Sequence, residues 1–243
     1  MSTDVKGKNW IPTHFQESAR LIAIDAAQKF TKPQQIIGLG SGPMVAAIVK
    51  ALVNLPYKDS LECIATSFQI KLEVESFGSE GLRLVDANHI PMIDVVFDGA
   101  DQIDSKYNMI KGAGGALLRE KVLHSAAKKL VITAESTKFV RYLDYPVPIE
   151  VNPFGRHITE SKIKKIGGQV KLRMLKEGYP YITENGNLVY DTTFALISDI
   201  QKTEANLKSI PGVLEVGLFT RHADVYYRAS AHGSFEFIEP KEK

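Results

Sequence analysis

The first 140 residues alternate between short apolar runs and longer segments in which apolar residues recur with helical spacing. Runs of a few apolar residues predict buried strands, and the 3.6-residue spacing predicts amphipathic helices. The predicted strands are 36–37, 61–65, 95–97 and 130–133 with an edge strand at 82–85, and the predicted helices are 17–30, 44–52 and 116–130. This alternation is typical of a parallel sheet with helices on both faces, which places the chain in the α/β class.

The pattern changes after Pro146, where strands and helices no longer alternate regularly. The predicted strands are 147–151, 169–173, 181–183, 188–190 and 213–219, and the predicted helices are 159–166 and 195–210. This α+β segment, residues 147–220, is interpreted as a second, smaller domain inserted into a first domain of residues 1–146 and 221–243, with 223–227 rejoining the first sheet. Asn185-Gly186 predicts a hairpin turn, because both residues tolerate positive φ, and we expect that turn to lie away from catalysis.

Composition sets few further limits. The 243 residues are 44% hydrophobic and 24% charged, which is ordinary for a soluble enzyme, and the net charge of +2 gives no electrostatic case for a nucleic acid or membrane partner. The single cysteine, Cys63, excludes an intrachain disulfide and is expected to be a small buried hydrophobe. Residues 1–10 lack the apolar core of a signal sequence, so a cytoplasmic protein is expected.

The stretch 94–121 carries most of the candidate chemistry. Asp98 and Asp101 follow a buried strand, and ligands in open α/β sheets bind beyond the carboxyl ends of strands. Lys111 and a glycine-rich loop with Gly112, Gly114 and Gly115 come next, and such a loop before a helix turns N–H groups towards an anion. Glu120 lies in the helix that follows. Taken singly, each residue could instead cap a turn or lie on a solvated surface.

Two earlier strand ends are candidates for ligand binding. Gly40, Ser41 and Gly42 follow the first strand and precede a helix, which is a phosphate-binding geometry in outline, although a tight structural turn remains an alternative. Pro43 occupies the position of the third glycine in the dinucleotide fingerprint, so no nicotinamide or flavin cofactor is expected. Thr66 and Ser67 end the next strand and can cap a helix or bind a ligand.

Several motifs together resemble the type A ribose-5-phosphate isomerases over residues 17–227. They are Asp98-Gly99-Ala100-Asp101, the segment from Lys111 to Lys121, Thr66-Ser67-Phe68-Gln69, Pro148-Ile149-Glu150-Val151, residues 183–187, residues 210–213 and Gly217-Leu218-Phe219. The resemblance implies a Rossmann-like domain with a ferredoxin-like lid domain. It also implies a homodimer or homotetramer that interconverts ribose 5-phosphate and ribulose 5-phosphate without a metal or cofactor.

The resemblance assigns roles that fit the chemistry of an aldose–ketose isomerisation. The reaction passes through an enediolate and needs a carboxylate base, for which Glu120 is suited. Lys111 and the glycine loop would stabilise the oxyanion, and Asp98 and Asp101 would handle hydroxyl protons and ring opening. Lys138 would help to hold the phosphate group, and a cation is retained at Arg20.

One loop departs from the family pattern. The family usually has Gly-Thr-Gly-Ser-Thr or Gly-Ser-Gly-Ser-Thr, whereas this chain has Gly40-Ser41-Gly42-Pro43-Met44. Two hydroxyl donors are absent, and Pro43 also lacks a backbone N–H. The sequence therefore leaves two alternatives open: an isomerase of another sugar or sugar phosphate, and a non-catalytic sugar-phosphate sensor.

Overall fold

A computed structural model describes residues 11–240. Its α-helices are α1 Thr13–Phe30, α2 Pro43–Leu52, α3 Phe68–Glu75, α4 Leu117–Ala126, α5 Arg156–Lys165 and α6 Ile200–Lys208. Its strands are β1 Ile36–Leu39, β2 Glu62–Ala65, β3 Arg83–Leu84, β4 Ile93–Gly99, β5 Gln102–Ile103, β6 Met109–Ile110, β7 Ala127–Glu135, β8 Val147–Val151, β9 Gln169–Leu172, β10 Leu188–Thr193, β11 Val213–Val216, β12 Leu218–Phe219, β13 Val225–Ala229 and β14 Phe235–Ile238.

The largest sheet has seven strands in the order β14-β13-β7-β4-β1-β2-β3. Its pairs are parallel, except that β14 runs antiparallel to β13. Apolar residues of α1, α2 and α3 pack on one face, where Phe97 contributes from β4, and residues of α4 pack on the other, where Val96 contributes. This arrangement confirms the predicted α/β fold, and the pairing of β13 with β7 confirms that 223–227 leads the chain back to the first sheet.

A second sheet lies in the segment after Pro146. It has four antiparallel strands in the order β11-β8-β10-β9, and its core includes Ile149, Ile163 and Leu207 from β8, α5 and α6. A small third sheet, in the order β12-β6-β5, pairs β12, near the end of this segment, with β6 from the part of the chain before it. The division into domains at 147 and 220 stays a prediction.

Two predicted helices have different ends in the structure. The helix predicted over 116–130 ends at Ala126, because Ala127 already pairs with Ile93 as the first residue of β7. The helix predicted over 195–210 begins only at Ile200, where the Asp199 side chain accepts a hydrogen bond from the N–H of Lys202 and caps the first turn.

Two predicted strands are also wrong in part. The strand predicted over 213–219 is broken at Gly217, where a side chain would collide with the backbone of Lys111, and its two halves join different sheets. The strand predicted over 181–183 is reduced to a single bridge between Ile182 and Leu188. The turn that follows this segment, at Asn185 and Gly186, is present, but of these two residues only Gly186 has positive φ, at 79°.

The remaining expectations concern burial and location. Cys63 is buried, and burial raises the pKa of its thiol to about 12, so the thiol stays protonated at neutral pH. Within residues 11–240, every helix is too short or too polar to cross a bilayer. The signal-sequence prediction concerns residues 1–10 and lies outside the described residues.

Candidate active site

The carboxyl end of β4 is the centre of the candidate site. Asp98 is completely buried there, and the turn after β1 passes directly over its carboxylate. A side chain at position 40 would occupy the space of that carboxylate, so Gly40 is required for the close approach. Parallel pairing of β1 with β4 therefore brings the first glycine turn onto the Asp98-Gly99-Ala100-Asp101 motif.

Both oxygens of Asp98 have partners. Oδ1 accepts hydrogen bonds from the backbone N–H of Ser41 at 3.2 Å and of Gly99 at 2.7 Å. Oδ2 lies 2.9 Å from Lys111 Nζ and 2.8 Å from His124 Nε2. Burial opposes ionisation of Asp98, but Lys111 and His124 outweigh burial and hold the pKa of this carboxyl below its ordinary value. Asp98 is therefore a fixed anion.

Lys111 lies between two carboxylates. Its Nζ donates a hydrogen bond of 2.5 Å to the Gly99 carbonyl, forms the ion pair with Asp98 and lies 3.3 Å from Glu120 Oε2. The residue is 2% exposed. Burial alone would lower the pKa of Lys111, but the charges of Asp98 and Glu120 raise it above its ordinary value, so the ammonium ion persists.

Glu120 is the second buried carboxylate of this cluster. It lies in the first turn of α4, where Oε1 accepts a hydrogen bond from the Ser41 hydroxyl and Oε2 has no hydrogen-bond partner within residues 11–240. Burial and the charge of Asp98 raise the pKa of Glu120 to about 7, although Lys111 opposes this shift. A carboxylate with such a pKa and one oxygen that makes no hydrogen bond is suited to accept and return a proton near neutral pH.

The glycine loop is held by side chains on one side. Arg173 donates hydrogen bonds to the carbonyls of Gly112 at 3.0 Å and Ala113 at 2.9 Å, and the Tyr181 hydroxyl donates to Gly114 at 3.0 Å. The N–H groups of Gly112 and Gly114 make no hydrogen bond within residues 11–240. The loop therefore has its carbonyls bound and two N–H groups open, in the sense that they lack a hydrogen-bond partner among these residues.

Positive φ explains part of the glycine pattern. Gly112 and Gly115 have φ of 103° and 84°, which side chains rarely adopt, and a side chain at position 115 would also collide with Tyr181. Gly42, with φ of 93°, precedes Pro43, the first residue of α2. Met44 is buried in the core, so its side chain does not face the site.

Asp101 belongs to the same neighbourhood but differs from Asp98. It is half-buried, and its Oδ2 accepts a hydrogen bond of 2.9 Å from the N–H of Ala113. Ala113 and Gly114 are exposed, and a Cβ at Gly114 would lie 3.6 Å from the Ser41 hydroxyl. The exposed glycine loop and the partly exposed residues Asp101 and Ser41 therefore border the buried cluster.

The remaining candidates from the sequence, Thr66, Ser67 and Lys138, lie outside the cluster of Asp98, Lys111 and Glu120. Thr66 is buried, its hydroxyl has no hydrogen-bond partner within the described residues, and it lines a small cleft with Gly114 and Gly115. Ser67 caps α3 by accepting a hydrogen bond from the N–H of Ile70. Lys138 follows β7, the neighbour of β4.

Arg20 is exposed on α1. Its guanidinium pairs with Glu17, one turn away on the same helix, at 2.6 Å. The structure therefore joins Arg20 to its own helix and records no contact between it and the cluster among residues 11–240.

Sequence reasoning missed several residues around the cluster. They are His124, which contacts Asp98, the loop-binding pair Arg173 and Tyr181, and Arg119. The spacing of four between Glu120 and His124 was a usable signal, because residues four apart share one face of a helix.

Arg119 also corrects the expectation that the 185–186 turn lies away from catalysis. Its guanidinium donates to Asn185 Oδ1 at 2.9 Å and to Glu184 Oε2 at 2.6 Å, and Arg119 directly precedes Glu120. The other oxygen of Glu184 accepts a hydrogen bond of 2.6 Å from the N–H of Phe68, at the start of α3. The turn therefore binds the starts of two helices beside the cluster.

The cluster provides a proton acceptor, a cation and N–H donors in one buried place. This set can remove a proton from a carbon atom and stabilise the oxyanion that results. Within the described residues, His, Cys, Asp and Glu form no group of three or more suited to hold a metal ion. The chemistry that the residues support is acid–base chemistry on a carbonyl compound.

Known proteins are similar to this chain in sequence and in fold. Residues 62–233 match the family model described as ribose 5-phosphate isomerase A (phosphoriboisomerase A). A protein of Methanosarcina acetivorans named ribose-5-phosphate isomerase A is 38% identical over 205 residues, covering 83% of this chain and 86% of its own length. A protein of the same name from Listeria monocytogenes is 35% identical over 220 residues, covering 90% and 97%.

The fold comparison agrees with the sequence comparison. The crystal structure of ribose 5 phosphate isomerase A from Neisseria gonorrhoeae superposes with a TM-score of 0.85 at 30% identity, and the match covers 95% of this chain and 99% of that one. The similarity therefore extends over both large sheets of the molecule.

Proposed function

The chain belongs to the ribose-5-phosphate isomerase A family, and on that premise we propose that it interconverts D-ribose 5-phosphate and D-ribulose 5-phosphate. The observation that carries the proposal is the buried arrangement of Glu120, Lys111 and Asp98 beside an open glycine loop. The reaction belongs to the non-oxidative branch of the pentose phosphate pathway, as is known for the family.

Glu120 is the proposed base. It takes the proton from C2 of the open-chain aldose, which leaves an enediolate. The hydroxyl proton of O2 then passes to O1, and Glu120 returns its proton to C1, which leaves the carbonyl group of the ketose at C2. Two features support this role: the Oε2 atom without a hydrogen-bond partner and a pKa raised to about 7. The Ser41 hydroxyl, bound to Oε1, would hold the carboxylate in place while Oε2 reacts.

Lys111 and the glycine loop are proposed to stabilise the enediolate. The ammonium group of Lys111 is bound to Asp98 Oδ2 and to the carbonyl of Gly99. Its third neighbour, Glu120 Oε2, lies 3.3 Å away. A substrate oxygen near Glu120 would therefore meet a proton of Lys111. The open N–H groups of Gly112 and Gly114 would add to this stabilisation in a site that excludes much of the water.

The two aspartates are proposed to have different roles. Asp98 is buried and its oxygens are occupied, so it would act as the anion that keeps Lys111 charged and in place. Asp101 is half-buried, so it would be the carboxylate that exchanges protons with substrate hydroxyls during ring opening.

The phosphate group is proposed to bind at the first glycine turn. Gly40, Gly42 and the N-terminus of α2 would face it, with Lys138 as a cation beyond β7 and Thr66 and Ser67 at the next strand end. The Ser41 hydroxyl is engaged by Glu120, and the N–H groups of Gly40 and Ser41 are engaged by Phe97 and Asp98, so the N–H of Gly42 and those of the first turn of α2 would bind the phosphate. Arg20 would take part only by leaving Glu17.

The wider setting of the enzyme is also proposed. We infer a cytoplasmic homodimer or homotetramer with a Rossmann-like catalytic domain of residues 1–146 and 221–243 and a ferredoxin-like lid of residues 147–220. No cofactor and no metal ion would be required, since the acid–base groups of the cluster suffice for the proton transfer.

An activity assay with a substrate panel tests the proposal. The purified protein, treated with a chelator, is assayed for aldose–ketose conversion of ribose 5-phosphate, other pentose and hexose phosphates, and the unphosphorylated sugars. We expect turnover of ribose 5-phosphate to exceed that of every other compound. Preferred turnover of another sugar would favour the first alternative, and binding of ribose 5-phosphate without turnover would indicate a sensor.

A further inference from the structure

His124 is a buried polar residue with no assigned role. Its side chain is 2% exposed, and Nε2 lies 2.8 Å from Asp98 Oδ2, the oxygen that also pairs with Lys111. The imidazole packs edge-on against Phe219, with 5.2 Å between the ring centroids. The contact between His124 and Asp98 therefore comes from α4, the helix that also carries Glu120.

The contacts define the protonation state of this imidazole. Asp98 is an anion, so the atom that faces it, Nε2, must carry the proton. Nδ1 is buried without a hydrogen-bond partner within residues 11–240, and a proton there would be an unpaired buried donor. Burial, together with the cations Lys111 and Arg221, outweighs Asp98 and lowers the pKa of His124, which favours the neutral ring. The structure thus favours a neutral imidazole with its proton on Nε2.

We propose that His124 is a positioning residue of the isomerase reaction: its Nε2–H fixes the Asp98 carboxylate and, through Asp98, the ammonium group of Lys111. His124 and Lys111 share one oxygen, Oδ2, while backbone N–H groups hold the other. The carboxylate then has no freedom to rotate and draw Lys111 away from the substrate. The inference rests on the proposed function.

Two substitutions separate positioning from simple packing. His124→Leu keeps most of the volume and removes the donor, whereas His124→Gln places an amide N–H close to the position of Nε2. We expect His124→Leu to lower kcat by roughly 10- to 100-fold, the range for loss of a hydrogen bond to a charged group, with KM changed by less than about threefold. His124→Gln should recover most of the lost rate. A His124→Leu enzyme with the parent kcat, or one that is slow together with an equally slow His124→Gln enzyme, would overturn the proposal.

Nitrogen NMR of the parent protein tests the same inference without catalysis. With the histidines labelled with 15N, His124 is identified as the signal set absent from the His124→Gln spectrum. We expect the neutral Nε2–H tautomer throughout pH 6–8, with no titration near the ordinary histidine pKa of about 6.5. A proton on Nδ1, or a titrating ring, would contradict the proposed hydrogen bond even if His124→Leu failed to fold. Because this spectrum does not depend on turnover, an inactive parent with the expected spectrum would overturn the proposed function, and with it the role in catalysis, but not the hydrogen bond from His124 to Asp98.

Discussion

Glu120 and Glu150 are both buried glutamates, and their surroundings differ. Glu120 is 2% exposed and Glu150 is not exposed, and each has an Oε2 atom without a hydrogen-bond partner within residues 11–240. Around Glu150, on β8, Oε1 accepts hydrogen bonds from Thr183, Asn185 and Asn187, all of them neutral donors. Glu120 instead lies beside the charges of Lys111 and Asp98.

The comparison shows that a buried carboxylate does not by itself identify a base. The three neutral donors of Glu150 come from one turn, residues 183–187, so this carboxylate ties the turn to β8 and acts structurally. At Glu120 a cation, a second anion and an open glycine loop with exposed Gly114 converge. The charges around the two carboxylates, more than their burial, distinguish a chemical role from a structural one.

The largest expected effect is on activity at Glu120. Glu120→Gln should lower kcat by about a thousandfold or more, because it removes the group that transfers the proton while keeping its size. Glu150→Gln is the matched control and should change kcat by less than about tenfold. Steady-state kinetics of both variants, with circular dichroism to verify folding, measure the contrast. Residual activity of Glu120→Gln within tenfold of the parent would mean that the base lies elsewhere.

The cation beside Glu120 should have the next largest effect. Lys111→Ala removes the charge proposed to stabilise the enediolate, and loss of one such donor lowers kcat by roughly 10²- to 10³-fold. Lys128→Ala, which removes an exposed lysine paired with Asp94, is the control and should leave kcat near the parent value. The account of Lys111 fails if the two variants have similar rates.

The pH dependence should reveal the same contrast with no substitution. Glu120 must be ionised to accept a proton, and its pKa is raised to about 7, so kcat should fall by about tenfold per pH unit below that value and level off above it. The measurement is kcat at saturating substrate from pH 5 to pH 9, while the fold is monitored. A rate that stays constant down to pH 5 would be inconsistent with a raised pKa at the base.

Substitution of Glu150 should lower the stability of the fold, whereas substitution of a surface residue should change it little. Glu150→Ala leaves two buried donors, Thr183 and Asn187, without their acceptor, and each unpaired buried donor costs about 1–3 kcal/mol, so we expect a loss of about 2 kcal/mol or more in the free energy of unfolding. At about 2–4 °C per kcal/mol, Tm should fall by roughly 4 °C or more. Lys164→Ala, at an exposed ion pair of α5, should shift Tm by about 2 °C or less. Equal shifts would refute the structural role of Glu150.

Much of the fold and of the site around Glu120 could be predicted from the sequence. The apolar run before Asp98 and the glycine pattern around Lys111 predicted the strand end, the loop and the helix that meet at the site. The fold followed in the same way, because the strand and helix periods in the first 140 residues are clear. The local pattern of apolar residues is sufficient to predict a strand or helix that buries one apolar face.

The remainder depends on contacts between segments that are distant in sequence. Gly217 divides a predicted strand because the backbone of Lys111 passes close by, and no local pattern contains that approach. The hydroxyl of Ser41, expected to bind substrate, instead reaches Glu120, 79 residues away. Arg119 resembles a surface residue of α4 until the 183–187 turn is placed against it. Such pairings arise from the tertiary fold, and spacing along the chain does not encode them.

Proton exchange with solvent tests most directly whether Glu120 is the base. The parent and Glu120→Gln are incubated with ribulose 5-phosphate in D2O, and NMR follows deuterium uptake at C1 of the ketose. The parent should incorporate deuterium as the reaction approaches equilibrium, because a carboxyl group that accepts a substrate proton can exchange it with solvent. Glu120→Gln should incorporate at least about a thousandfold more slowly. Deuterium uptake by Glu120→Gln at a rate close to that of the parent would contradict the account.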